Sequence, residues 1–242
     1  MKIVTYGDKE KEKILLLHPM ITSAKFFDFA IDTLIKKYYL IIPTYSGHYQ
    51  DSNFISMEEE IKTIDEFLNE NGIDNLKAVI GFSLGGNIAF NYFILHQDKI
   101  DQVIVDSAPI FKFPKFIINC AYKKYKKCLD RVRKSPQNAA KELNKCFKGM
   151  GEAQQYVAPI VTDESLKNLA KTCFSVNAPK IDSDAQKKIT FVYGTKDIAR
   201  FCKPRIKKYK NSKFVKIKSS GHCGYFRENL DEYINKLINK NL

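Results

Sequence analysis

The chain has 242 residues, 44% of them hydrophobic and 12% aromatic, and a formal net charge of +13. Length and composition fit one large globular domain or two small ones and exclude a disordered or low-complexity chain. No apolar run approaches the ~20 residues of a spanning helix and the first residues hold no signal-peptide core, so the expectation is a cytoplasmic protein with no stable membrane insertion.

Residues 2–6 alternate as an edge strand, and a charged turn follows over 8–13. Residues 14–17 (Ile-Leu-Leu-Leu) form a short, wholly apolar strand of the kind buried on both faces of a parallel sheet. His18, Pro19 and Met20 stand at its exit, and Ser23 is placed to cap a helix carrying Phe26, Phe27, Leu34 and Ile35. A strand over 39–42 leads to the turn-rich loop Pro43-Thr44-Tyr45-Ser46-Gly47-His48. Residues 57–71 read as an amphipathic helix with acids in its first turn, ended by Gly72.

Next come a strand over 76–80, a helix over 84–96 and a strand over 103–105 that ends at Asp106. This alternation of strand and helix signals a doubly wound, mostly parallel sheet. The rhythm stops between 111 and 186, where helices are expected over 117–133, 137–148 and 164–174. It resumes with a strand over 189–193, a helix over 199–209, a strand over 214–217 and a closing helix over 226–238.

Chemistry concentrates where strands end. Gly81-Phe82-Ser83-Leu84-Gly85 reads G-x-S-x-G between a predicted strand and a predicted helix, the context of a nucleophile elbow. Asp197 and His222 follow, each at the exit of a later strand, so that nucleophile, acid and base occur in the order this elbow requires. Reactive groups belong at these exits, because open α/β sheets bind ligands at the carboxyl ends of their strands. Asp106 also ends a strand and is the alternative acid. His18 and His48 read as loop architecture, and His96 as a helix-end residue suited to the dipole. The cysteines, at 120, 128, 146, 173, 202 and 223, form no C-x-x-C pair or zinc spacing and are expected to be reduced and mostly packed, Cys223 beside His222 included. No metal is expected. The lysines run along the whole chain without a zinc-finger spacing or an RNA-binding aromatic motif, so no nucleic-acid partner is expected either.

On these residues the chain resembles the α/β-hydrolase superfamily, over nearly its whole length outside 111–186. His18-Pro19 stands where the family has a His-Gly pair; Ser46-Gly47-His48 is similar to its P-G-H-G loop. Gly194-Thr195-Lys196-Asp197 resembles its acid loop, and Gly221-His222 its histidine loop. Pro19 departs from the pattern, having a fixed φ and no backbone N–H.

The resemblance implies an α/β-hydrolase core over 1–110 and 187–242, with a helical lid over 111–186 inserted before the acid-bearing strand. It implies a serine hydrolase acting on small-molecule carboxylic esters, esterase- or lipase-like, acylglycerols and thioesters included, with no cofactor. Acyl transfer, aminopeptidase action, C–C bond hydrolysis and a non-catalytic binding role are the alternatives open to the same scaffold. Ser83 would attack, His222 would take its proton and Asp197 would orient the imidazole. The backbone N–H groups of Met20 and Leu84 would form the oxyanion hole. The expected lid is basic in its first half, at Lys123, Lys124, Lys126, Lys127, Arg131, Arg133 and Lys134, which is either a solvated face or an attraction for anionic substrates.

Overall fold

Uninterrupted apolar runs commit the central strands to a sheet covered on both faces. The computed structural model describes residues 1–239, so positions 240–242 of the expected 187–242 core segment lie outside the described residues. The strands are β1 Lys2–Tyr6, β2 Glu12–Leu17, β3 Tyr38–Thr44, β4 Ala78–Phe82, β5 Val103–Asp106, β6 Ile189–Gly194 and β7 Lys213–Ile217. They form one sheet in the order β1-β3-β2-β4-β5-β6-β7, parallel throughout except for β1 against β3. Leu15, Leu17, Tyr39, Ile41 and Val79 enter one apolar layer; Ile14, Leu16, Leu40, Ile42 and Ile80 enter the other. Burial on both sides is why these strands are apolar without interruption.

The helices are α1 Asp28–Leu34, α2 Met57–Glu70, α3 Leu84–Leu95, α4 Lys115–Lys134, α5 Ala139–Cys146, α6 Gly151–Gln154, α7 Asp163–Cys173, α8 Ser183–Lys187, α9 Lys203–Ile206, α10 Gly224–Glu228 and α11 Leu230–Tyr233. α2 and α3 cover one face through Ile61, Ile64, Ile88 and Phe90. α1 and the C-terminal helices cover the other through Ala30, Leu34, Phe226 and Tyr233. From β2 the chain steps outward to β3, then returns across β2 to β4, so its direction of winding reverses between β2 and β4. That reversal opens a crevice at their carboxyl ends, the place where such sheets bind ligands.

Several local expectations change. Ser23 stands at the N-cap position of a 3₁₀ turn, Ala24–Phe27, but its side chain makes no capping bond. The Phe26 N–H that such a cap would serve donates instead to the Ser23 carbonyl at 2.9 Å, and the Ala24 N–H donates to Thr44 Oγ1 of β3 at 3.0 Å. The helix expected over 199–209 is a 3₁₀ turn, Ile198–Cys202, followed by the single turn α9. Pro204 supplies no N–H there, which prevents one continuous α-helix. The closing helix is interrupted at Asn229, which leaves helical φ (−143°) and caps α11 with its carbonyl.

Residues 111–186 are helical, as read, with one isolated bridge, Lys112 to Ser175. The short α6 and α8 fall outside the expected helices, because four and five residues are too few to display a helical period. Among the described residues no helix is long and apolar enough to cross a membrane.

Candidate active site

Ser83 is the single residue between β4 and α3, and it takes φ 54° and ψ −113°. That region is costly for any residue with a Cβ, and the surroundings enforce it. The Ser83 N–H donates to the Asp106 carbonyl at 2.8 Å, pinning the turn to β5. The flanking glycines are required by contact. A Cβ on Gly81 would lie 2.1 Å from the Gly85 carbonyl oxygen, and one on Gly85 would lie 2.1 Å from that of Leu17 and 2.7 Å from that of His18. The first turn of α3 therefore abuts the exit of β2, bringing the neighbourhoods of Leu84 and Met20 together.

Three side chains form a continuous line. The Ser83 hydroxyl is 2.9 Å from His222 Nε2, and His222 Nδ1 is 2.9 Å from Asp197 Oδ1. A carboxylate can only accept, which places the imidazole proton on Nδ1 and leaves Nε2 to accept from the serine. Asp197 is buried and also accepts the Ala199 N–H at 2.9 Å, so its orientation is held by backbone as well as by His222. Burial opposes the Asp197 charge, but the bonds from His222 and Ala199 outweigh it and hold the carboxyl below its ordinary pKa.

Burial likewise disfavours a charged His222, yet the Cys223 sulfur and the Asp197 carboxylate raise its pKa well above the usual value. Burial pushes the Cys223 thiol up and so keeps it neutral near pH 7. Asp197 is therefore the partner that carries the His222 shift.

Asp106, the alternative acid, is placed differently. Its Oδ1 accepts from the Ser107 hydroxyl at 2.8 Å, and its Oδ2 has no hydrogen-bond partner among the described residues. Burial, with a smaller push from the Asp197 charge, raises it to about 7. Ser107 Oγ in turn accepts the Cys223 N–H at 2.9 Å, beside His222, where Cys223 adopts a left-handed φ of 54°. Asp106 thus reaches the histidine loop through Ser107, while the His222 ring pairs with Asp197.

The loop after β2 is built by neutral histidines. His18 Nδ1 donates to the Pro19 carbonyl at 2.8 Å, and the Thr22 hydroxyl donates to the same oxygen at 2.7 Å. In a trans peptide the carbonyl and the following N–H point in opposite directions. Holding Pro19 O therefore aims the Met20 N–H. Pro19 contributes its carbonyl here, and the positive φ of the turn falls on Ile21 at 63°. The Ile21 N–H donates to His48 Nε2 at 3.0 Å, and His48 Nδ1 donates to Ser46 O at 3.1 Å. Burial lowers His48 to about 4 and takes His18 well below its ordinary value, so both rings keep the neutral form these bonds need. Among the described residues, neither the Met20 N–H nor the Leu84 N–H has an acceptor in the protein. For Leu84 this follows from its position as the first residue of α3.

His96 stands at the C-cap of α3, but its ring lies 3.2 Å from Asp65, toward α2 rather than the last carbonyls. All six cysteines are free; Cys120 is exposed and Cys128, Cys173, Cys202 and Cys223 are buried. Among the described residues no cluster of His, Cys, Asp and Glu is arranged to hold a metal ion. Three site neighbours escaped sequence reading: Thr22, Ser107 and Gln154, the last of which donates to Met20 O at 3.0 Å. Thr22 and Ser107 sit in strand-exit loops, which is a weak signal. Gln154 carries none.

Residues 32–126 match the family model described as the alpha/beta hydrolase fold. A search of curated proteins gives no match. Among solved structures the chain is similar to a marine microorganism esterase, at 18% identity, TM-score 0.77 and 98% coverage of both chains. It is also similar to a structure from a study of carboxylesterases of the thaumarchaeon Nitrososphaera gargenis (16% identity, TM-score 0.76), covering 100% of this chain and 96% of that one. An esterase from Exiguobacterium antarcticum matches at 19% identity and TM-score 0.70, over 98% of this chain and 94% of its own. At such identities the likeness establishes the fold.

Proposed function

We propose, from the premise that this chain belongs to the α/β-hydrolase superfamily, that it is a serine hydrolase cleaving carboxylic esters of small molecules. The observation that carries this reading is the unbroken line from Asp197 through His222 to Ser83, with both hydrogen bonds at 2.9 Å. Free serine is a poor nucleophile at neutral pH. Here Nε2 is in place to take its proton as the oxygen attacks the ester carbonyl, and Asp197 stabilises the imidazolium that forms. The oxyanion of the tetrahedral intermediate is received by the N–H groups of Met20 and Leu84, both without an acceptor among the described residues. Such a donor contributes roughly 3–4 kcal/mol to transition-state stabilisation. His222 returns the proton to the leaving alcohol, and a water activated by the same ring releases the acyl group from Ser83. The segment 111–186 serves as a lid that shapes the acyl and alcohol pockets and excludes water. The esterases among the similar structures support an ester as substrate.

A fluorophosphonate probe tests the nucleophile directly. The wild-type chain is expected to form a stable adduct, and Ser83→Ala to form none. Equal labelling of the two proteins would overturn the mechanism. Hydrolysis of p-nitrophenyl esters of rising acyl length then reads the depth of the acyl pocket, and no turnover of any ester despite Ser83 labelling would move the reading to another acyl-transfer outcome.

A further inference from the structure

Gln154 ends α6, lies 134 positions from Met20 in sequence and is 2% exposed. Its Nε2 donates to the Met20 carbonyl at 3.0 Å. That acceptor fixes the amide's orientation, since the flipped amide would set carbonyl oxygen against carbonyl oxygen. Its Oε1 has no partner among the described residues. A buried amide satisfied at one end only costs stability, and an apolar side chain of the same length would fill the space without that cost. The hydrogen bond to Met20 is what the glutamine adds.

The peptide it grips is held on its other side too, because the Ile21 N–H donates to His48 Nε2 at 3.0 Å. Ile21 is β-branched and sits at φ 63°, a conformation that relaxes unless its surroundings hold it. The preceding peptide, which carries the Met20 N–H, is held by His18 and Thr22 from the core alone. Both peptides flanking Met20 are therefore clamped, and one clamp comes from the helical insert. We infer that Gln154 is a positioning residue that latches the insert onto the loop after β2, so that the Met20 N–H, aimed from the core by His18 and Thr22, reaches its full catalytic alignment only while the insert is seated and the following peptide is gripped as well. This latch rests on the serine hydrolase reading above.

The test uses the full chain and p-nitrophenyl butyrate. Gln154→Met keeps the length and removes the donor. It is expected to lower kcat about tenfold, short of the ~10²- to 10³-fold loss when an oxyanion donor is deleted, with KM within about twofold. Gln154→Glu supplies a readout that a packing role would not move. Its carboxylic acid can donate to Met20 O and its carboxylate cannot, and burial raises its pKa toward neutrality. The kcat ratio of Gln154→Glu to wild type is therefore expected to rise as pH falls from about 8 to about 6. A flat ratio, or a wild-type kcat in Gln154→Met, overturns the latch. Should Gln154→Met not fold, the pH dependence of Gln154→Glu decides alone. Fluorophosphonate labelling of the wild type separates the two levels: no Ser83 adduct sinks the hydrolase reading, whereas a normal adduct with a flat ratio sinks the latch only.

Discussion

In the mechanism proposed above, the proton on His222 sets the rate at each pH. Its pKa stands above the ordinary 6.5, the Asp197 carboxylate outweighing the effect of burial at neutral pH. Because the neutral ring is the base, kcat/KM is expected to fall as pH falls through that raised pKa, placing the acid limb above 6.5. Asp197→Asn removes the charge and the acceptor that select the Nδ1–H form. The expected result is a loss of about 10³- to 10⁴-fold in kcat and an acid limb moved to lower pH. Asp106→Asn is expected to leave the limb close to its wild-type position, since Asp106 bonds Ser107 and not the ring. A larger loss in Asp106→Asn than in Asp197→Asn, measured over a pH–rate profile, would exchange the two acids.

Among elements, the junction of β4 and α3 depends on backbones that touch. Gly85 leaves no room for a methyl group: the Leu17 carbonyl oxygen would lie 2.1 Å from it. Overpacking commonly costs about 1–3 kcal/mol, and a clash with strand backbone belongs at the upper end because β2 cannot rotate away. Gly85→Ala is therefore expected to lower the urea midpoint by the equivalent of about 3 kcal/mol and to slow fluorophosphonate labelling in the fraction still folded. A wild-type midpoint with normal labelling would show that the α3 turn is looser than this packing requires. The elbow was legible in the residues themselves, because a tight strand-to-helix turn needs glycine at fixed offsets. The short turns around it were less legible. Ser23 has the identity of a capping residue, yet the Phe26 N–H is met by its backbone carbonyl and not its hydroxyl, while the adjacent strand supplies Thr44 to the Ala24 N–H.

For the whole molecule the question is where the surplus charge is free to act. Part of the basic run on α4 is already engaged. Lys126 lies 2.6 Å from Asp163, Arg131 lies 2.7 Å from Glu142, and Arg133 lies 3.0 Å from Asp163 and 3.1 Å from Asp130. These pairs join α4 to α5 and α7, so three of the residues read as one basic cluster are bracing for the insert. Lys123, Lys124, Lys127 and Lys134 remain exposed. Their attraction for an anionic ester should weaken as the Debye length shrinks from about 30 Å to about 8 Å with added salt. The expected outcome is a kcat/KM that falls with salt for a negatively charged ester and stays level for a neutral one of equal size. Parallel behaviour of the two substrates would assign the charge to solvation alone.

The apolar runs, the glycine-flanked Ser83 and the order of serine, aspartate and histidine at strand exits were determined by the sequence itself. Each is local, expressed in the period of burial or the steric demand of one turn. Tertiary structure decided which acid faces His222, which cations are spent on the insert's own acids, and how the loop around Met20 is clamped. Those outcomes rest on pairs such as Ser83 with His222 and Met20 with Gln154, 139 and 134 positions apart. No local pattern encodes such a meeting; it arises when the sheet reverses its winding between β2 and β4 and the helical insert packs onto that edge.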